Sequence, residues 1–288
     1  MAALLHVSDP HFGTERPHVV EALLRCVAEQ AVSVVVISGD ITQRARHGQF
    51  RRARVFVDRL QEILAGAPAL VLPGNHDIPL FNLPARLLHP FAGFRRAFGA
   101  DLEPSYEDAQ IQIQLVNTVS RWRHTDGVVG AAQVARVAGR LAQARPGQLR
   151  VVVTHQPAAV VREADAPDLL HGHAAAIRGW SQAGADLLLG GHIHLPYIHL
   201  ADTHVVQADG APARGMWVVQ AGTALSSRIR HEAGNSFNLI RYGEAGARVD
   251  ELIARECVVE RWDYIDDDDR FVCRAITPLG LGPGANTT

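Results

Sequence analysis

A layered α/β fold with its chemistry at the carboxyl ends of the strands is what this sequence predicts, and three observations carry the prediction. Short β-branched or apolar runs alternate with segments whose apolar positions recur at helical spacing. The early runs end at a carboxylate, amide or imidazole, mostly beside a glycine. Hydrophobic residues make up 47% and charged residues 20% of 288 positions, the balance of a globular chain long enough to bury a large core. In open α/β sheets ligands gather beyond the strand ends, so the repeated polar exits read as a site.

Leu4 to Ser8 is the first apolar run, and Asp9-Pro10-His11 ends it because proline cannot donate to a ladder. Arg16 to Gln30 carries Val19, Val20, Leu23, Leu24 and Val27 at helical spacing, with Pro17 near its start. Val32 to Ser38 reads as a strand buried on both faces and stops at Gly39-Asp40-Ile41-Thr42. A second helix covers roughly His47 to Leu64, its arginines forming a solvated face. Gly66-Ala67-Pro68 breaks it, and the strand Ala69 to Pro73 runs into Gly74-Asn75-His76-Asp77.

Residues 79–104 are irregular, with apolar residues at partly helical spacing, and read as an amphipathic connection on the core in preference to a lid. Ile111 to Val116 alternates with glutamines as a half-buried strand would. The helix Gly130 to Arg145 leads to the strand Val151 to Thr154 and then His155-Gln156-Pro157. The helix Ala174 to Ala183 precedes the strand Asp186 to Leu189, which enters Gly190-Gly191-His192-Ile193-His194. Tyr197 to Ala208, Met216 to Ala221, Phe237 to Tyr242 and Ala247 to Ile253 read as strands of antiparallel hairpins in a second sheet. Asp266 to Asp269 reads as a solvated acidic loop. A single domain is expected over 1–276, with a disordered tail over 277–288.

A formal net charge of −2 gives no global argument for nucleic acid or an anionic membrane as partner. Cys26, Cys257 and Cys273 lack metal-site spacing and read as buried thiols in a reducing compartment. The start reaches a carboxylate too early for a secretory signal, and no run is long enough to span a membrane, so a cytoplasmic protein is expected.

Asp9, His11, Asp40, Asn75, His76, His155, His192 and His194 collect at the strand ends. Carboxylate, imidazole and amide oxygen are the ligand set of zinc, manganese, iron or cobalt, and the absence of cysteine argues against a structural zinc site. The set is too large for one ion. Two ions roughly 3.5–4 Å apart, sharing a carboxylate that screens their repulsion, would use it. Residues two apart on an extended segment point the same way, so Asp9 with His11, and His192 with His194, can each aim two groups at one place.

Asp9-x-His11, Gly39-Asp40, Gly74-Asn75-His76-Asp77, Thr154-His155 and Gly191-His192-x-His194, in this order, resemble the signature of the calcineurin-like metallophosphoesterases. The resemblance implies a four-layer α-β-β-α sandwich with two mixed β-sheets and two metal ions, manganese, iron or zinc. It implies Asp9, His11 and His194 on the first ion, Asn75, His155 and His192 on the second, and Asp40 between them. His76 would contact the phosphoryl group or protonate the leaving oxygen, and Asp77 would assist it as a catalytic partner. The activity implied is hydrolysis of a small phosphodiester, such as a cyclic nucleotide, by a hydroxide held between the ions.

The phosphoprotein phosphatases resemble Gly-Asp-x-x-Asp-Arg-Gly followed by Gly-Asn-His-Glu, from which Gln43, Ala45 and Asp77 depart. The lipid A precursor pyrophosphatases have arginine where His76 stands. The remaining likeness is to bacterial cyclic-nucleotide and glycerophosphodiester phosphodiesterases, although Gln43 stands where those often carry an acid. Two alternatives stay open: a phosphomonoesterase or pyrophosphatase of a small molecule or lipid precursor, and a noncatalytic metal-binding interaction module. Arg228, Arg230 and His231, after a late strand, are candidates for binding the substrate's phosphate. The sequence leaves the oligomeric state open.

Overall fold

The computed structural model describes residues 2–201, 215–249 and 252–281. Its elements run β1 (Ala2–Val7), α1 (Pro17–Ala28), β2 (Val34–Ser38), α2 (His47–Ile63), β3 (Ala69–Leu72), α3 (Leu83–Leu88), α4 (Ala92–Phe98), β4 (Ser105–Glu107) and β5 (Ile111–Leu115). They continue as α5 (Ala131–Leu141), β6 (Leu149–Val153), α6 (His173–Gln182), β7 (Leu187–Gly190), β8 (Tyr197–Leu200), β9 (Trp217–Gln220), β10 (Ser236–Val249), β11 (Leu252–Ile265) and β12 (Arg270–Gly280).

Two mixed sheets result. One has the order β12-β11-β10-β1-β2-β3, and the other β4-β5-β6-β7-β9-β8. The parallel strands of each are the β-rich runs that alternate with helices, and the antiparallel ones enter from hairpins at the edges.

The two-residue period of each strand builds the layers. On β1 and β2, Leu5, Val7, Val35 and Ile37 face a core shared with Val19, Leu23 and Val27 of α1 and Phe50, Phe56 and Leu60 of α2. Leu4, Val34 and Val36 face the other way, onto Ile113, Leu115, Val151, Val153 and Leu189 of the second sheet. Beyond that sheet, Val152, Leu188 and Val218 pack on Val137, Leu141, Ile177 and Trp180 of α5 and α6. Helices, sheet, sheet, helices is therefore the four-layer α-β-β-α order.

Several elements differ from the reading of the sequence. Ile111–Leu115 is buried on both faces, not one. Gln112 donates to the carbonyl of Arg140 and Gln114 accepts from the Arg140 guanidinium, so α5 satisfies the alternating amides. The stretch 247–253 holds the ends of two strands, with Arg248 opposite Ile253. The expected tail is strand as far as Gly280, which pairs with Glu256; 282–288 lie outside the described residues, as does the part of the Tyr197–Ala208 run beyond Ala201. Of the thiols only Cys257 is buried; Cys26 and Cys273 are half-buried. In the 79–104 segment, α4 buries Phe94 completely beneath α2, while Phe81, Leu83 and Leu88 stay exposed.

The late hairpin is joined to the core by aromatics. Phe237 is fully buried, stacked at 6.0 Å on Trp262 and tilted at 5.1 Å against Phe271. Phe237→Ala is expected to cost about 3–5 kcal/mol of stability, read as a lowered denaturant midpoint. A loss of less than about 1 kcal/mol would show that β10–β12 is not integral to the core.

Candidate metal centre

Five strand exits converge on one place, those of β1, β2 and β3 from the first sheet and β6 and β7 from the second. Five of the seven residues expected as ligands, Asp9, His11, Asp40, His192 and His194, have positive φ, between 43° and 71°. Each such non-glycine residue stores about 1–3 kcal/mol of strain. The exits are packed too tightly for side chains elsewhere. A Cβ on Gly74 would lie 2.1 Å from the backbone nitrogen of Asp40, and one on Gly191 would lie 1.9 Å from Ser8 Oγ.

Asp9, His11 and His194 form one cluster and Asp40, His155 and His192 another, the ligand atoms of each within 4.8 Å of one another. Asp9 Oδ2 accepts from Ser8 Oγ at 2.6 Å and from the His192 N–H at 2.9 Å. Its Oδ1 is buried without a partner and faces His11 Nε2 at 3.7 Å and His194 Nε2 at 3.3 Å. The Asp40 carboxylate reaches both clusters, with Oδ2 at 3.7 Å from His11 Nε2 and Oδ1 at 3.3 Å from His155 Nε2. Asn75 adds its Oδ1 at 3.2 Å from the same His155 nitrogen.

Hydrogen bonds behind the rings set the tautomers. His155 Nδ1 lies 2.8 Å from the Ser38 carbonyl and His194 Nδ1 lies 2.6 Å from the Arg228 carbonyl. A carbonyl only accepts, so each Nδ1 donates, and in the neutral ring Nε2 keeps a bare lone pair. His194 Nε2 then faces His11 Nε2 at 3.0 Å. Two imidazole nitrogens brought together beside an orphaned carboxylate oxygen are what a cation satisfies, and the nitrogen and oxygen donors suit zinc, manganese or iron. The residues fit a two-ion centre with Asp40 shared.

In the metal-free protein, protons answer the same demand. Burial works against charge on His155, but the Asp40 carboxylate overrides it and lifts the ring to about 9. His194 is likewise raised by Asp9 against the effect of burial. Burial wins at His11, which is pushed down to about 3 in spite of Asp40 and Asp9. Burial would raise Asp9 and Asp40, yet the neighbouring imidazoles hold both below the usual carboxylate range.

His76 stands at the open side. Its Nδ1 lies 2.8 Å from the Gln43 carbonyl, its backbone N–H donates to Asp40 Oδ1 at 2.8 Å, and its Nε2 is 3.9 Å from Asp40 Oδ2. Arg228 Nη1 lies 3.2 Å from that Nε2 and 3.1 Å from Gln43 Oε1. Three expected site residues do not open onto the centre. Asp77 is buried, and its two oxygens accept from the N–H groups of Ile41, Thr42 and Gly74 and from Thr42 Oγ1, which bolts the second and third strand exits together. Arg230 turns to Asp165, at 2.9 Å, and to the Ile193 carbonyl, at 3.1 Å. His231 is exposed on a turn.

The sequence reading also missed a file of buried donors behind Asp9. Asn238 Nδ2 lies 3.5 Å from His6 Nδ1, His6 Nε2 is 2.9 Å from Ser38 Oγ, Ser38 donates to Ser8 Oγ at 2.8 Å, and Ser8 donates to Asp9. Burial pushes His6 down to about 3, with Asp9 pulling the other way, so its ring is neutral and can accept at Nδ1 while donating at Nε2. Every proton in the file points toward Asp9. The signal was present: His6, Ser8 and Ser38 continue the face that Leu4, Val34 and Val36 turn to the other sheet. Asp168, 3.6 Å from His192 Nε2, was likewise missed.

Because an ion must displace the His155 proton, metal affinity is expected to rise about tenfold per pH unit from pH 7 toward about 9 and then flatten, in calorimetric titrations of manganese into the metal-free chain. A pH-independent affinity would contradict the protonated cluster. Ser8→Ala removes a donor to Asp9 and is expected to weaken metal binding about 10-fold, with unfolding otherwise near that of the parent. Unchanged affinity would show that the serine only fills space.

The family model described as calcineurin-like phosphoesterase matches residues 2–196. No curated protein sequence matches this chain. Among solved structures, the yellow lupin purple acid phosphatase PPD1 superposes with a TM-score of 0.64 at 12% identity, over 97% of this chain and 53% of that one. This chain thus spans about half the length of the lupin protein. A dimetal phosphatase from Danio rerio superposes with a TM-score of 0.61 at 13% identity, over 98% of this chain and 99% of that one. At such identities the structures speak for the fold. The family match over residues 2–196, carrying every strand exit described above, settles the membership: the chain belongs to the calcineurin-like phosphoesterase family.

Proposed function

We propose that this protein is a metal-dependent hydrolase of small-molecule phosphodiesters, with manganese, iron or zinc held in two sites by Asp9, His11, Asp40, Asn75, His155, His192 and His194. Bound ions would supply Lewis acidity, lowering the pKa of water and neutralising phosphoryl charge. Two carboxylates against two divalent ions leave the centre positive, and so attractive to a phosphate ester.

The observation that carries the reading is the posture of His76. With Nδ1–H spent on the Gln43 carbonyl, Nε2 is the ring nitrogen left to the open side beside Asp40; there it accepts from Arg228 Nη1, which must turn to substrate before Nε2 can deliver a proton. An alkoxide is a poor leaving group and needs that proton as the P–O bond breaks. The Arg228 guanidinium, which meets only Gln43 and His76 among the described residues, keeps its charge free for a non-bridging phosphoryl oxygen. The same free charge favours a second reading, a phosphomonoesterase, because a monoester carries the extra negative charge. The small-molecule character of the substrate agrees with a net charge of −2. Among the described residues no helix is long and apolar enough to cross a membrane.

With manganese, zinc or iron restored, bis(p-nitrophenyl) phosphate is expected to exceed p-nitrophenyl phosphate in kcat/KM; the reverse order would establish the monoesterase. His76→Ala should lower kcat by about 10²–10⁴-fold with metal content unchanged, and more for alkyl than for p-nitrophenyl leaving groups. Equal losses on both would remove the proton-donor role. Arg228→Ala should raise KM about tenfold with kcat and metal content nearly kept, and an unchanged KM would free it from substrate binding. No turnover of any ester by a fully metal-loaded chain would leave a binding module.

A further inference from the structure

A cavity of about 100 Å³ opens directly beside His76, bordered by Gln43, Arg44, Asn75 and His124 as well as by Ile78, Leu80 and Phe81. Of the expected metal ligands only Asn75 borders it, so it lies to the His76 side of the centre and away from the other exits. Ile78, Leu80 and Phe81 give it an apolar part that the centre lacks. Leu80 is half-buried, and Phe81 is 77% exposed. A single exposed phenylalanine needs no explanation by itself. This one is held: the Arg44 guanidinium lies 5.5 Å from its ring centroid, covering one face and leaving the other open.

Resting on the phosphodiesterase reading, the geometry points to a leaving-group subsite for an aromatic ring, an aryl or nucleobase-bearing alcohol, stacked on Phe81. The departing oxygen must lie next to His76 to take its proton, and His76 lines this cavity, so the group attached to that oxygen is within reach of it. In the step, water gives up one proton to solvent as its oxygen bonds phosphorus, the P–O bond to the leaving group breaks, the His76 proton ends on the departing oxygen, and His76 regains a proton from solvent. Size agrees with one ring. A closed cavity of about 150 Å³ cages benzene whole, and an open one about two thirds as large takes a ring with one edge in solvent. Charge agrees as well. Arg44 makes no ion pair among the described residues, so the rim repels a cationic group such as an ethanolamine or choline head and accepts a neutral or anionic ring. Planar rings stack on an arene and on a guanidinium alike.

The test uses Phe81→Ala and Phe81→Trp in the manganese-loaded full chain. The ratio of kcat/KM for methyl p-nitrophenyl phosphate to that for glycerophosphoethanolamine should fall about tenfold in Phe81→Ala, through KM, and recover in Phe81→Trp. An unchanged ratio would overturn the subsite. Binding decides the matter separately from turnover: the Kd of phenylphosphonate should rise about tenfold in Phe81→Ala while that of methylphosphonate stays within about twofold. Equal changes in both would also overturn the subsite. If the parent binds phenylphosphonate in this selective way yet hydrolyses no diester, the phosphodiesterase reading fails and the ring subsite stands.

Discussion

Imidazole nitrogens and carboxylate oxygens crowded into one buried place are the constraint on which the rest of this structure depends. His11 and His194 face each other through Nε2 at 3.0 Å, and Asp9 Oδ1 is buried beside them without a partner. Left to itself such a cluster would spread apart or fill with protons. It is held by what stands behind it: carbonyls that fix the imidazole tautomers, the serine file that occupies Asp9 Oδ2, and exits wound into positive φ. The four layers supply the rigidity that this strain requires, since four of the five exits continue strands buried on both faces and β3 is open only at Ala69, its end away from the centre.

Asp77 shows how the two sides of the centre are kept in register. One carboxylate gathers donors from the second and third strand exits, so Asp40, Asn75 and His76 move as a unit. His76 and Asp40 are further joined by the bond from the His76 N–H to Asp40 Oδ1. A side chain placed this way does not need a flexible loop to find the centre. Arg228 connects the opposite rim, its carbonyl orienting His194 and its guanidinium meeting His76.

Much of this was legible in the sequence, and the gaps have physical causes. Strands buried on both faces announce themselves by unbroken apolar runs, and a carboxylate or imidazole at such an end has few structural reasons to be there. The direction of a side chain on a tight turn is not written in its neighbours. Asp77 turns inward to backbone N–H groups while adjacent His76 turns outward, and Arg228 and Arg230, two residues apart, go to different partners. β12 was concealed because Pro278 reads as a strand breaker; as the last strand of its sheet it has a free edge, where proline is tolerated. β4, three residues long, is too short for any periodicity to show. The roles of His6 and Ser38 are not written in the sequence because their partners lie on other strands.

The claim at the centre of this account is that Asp40 joins two ions in one coupled site. Manganese titrated into the metal-free chain and followed by electron paramagnetic resonance measures it most directly. Two ions per chain with the exchange-coupled signal of a bridged pair, collapsing to one ion or to uncoupled signals in Asp40→Asn, is the predicted result. One ion per chain, or two uncoupled ions in the parent protein, would contradict it.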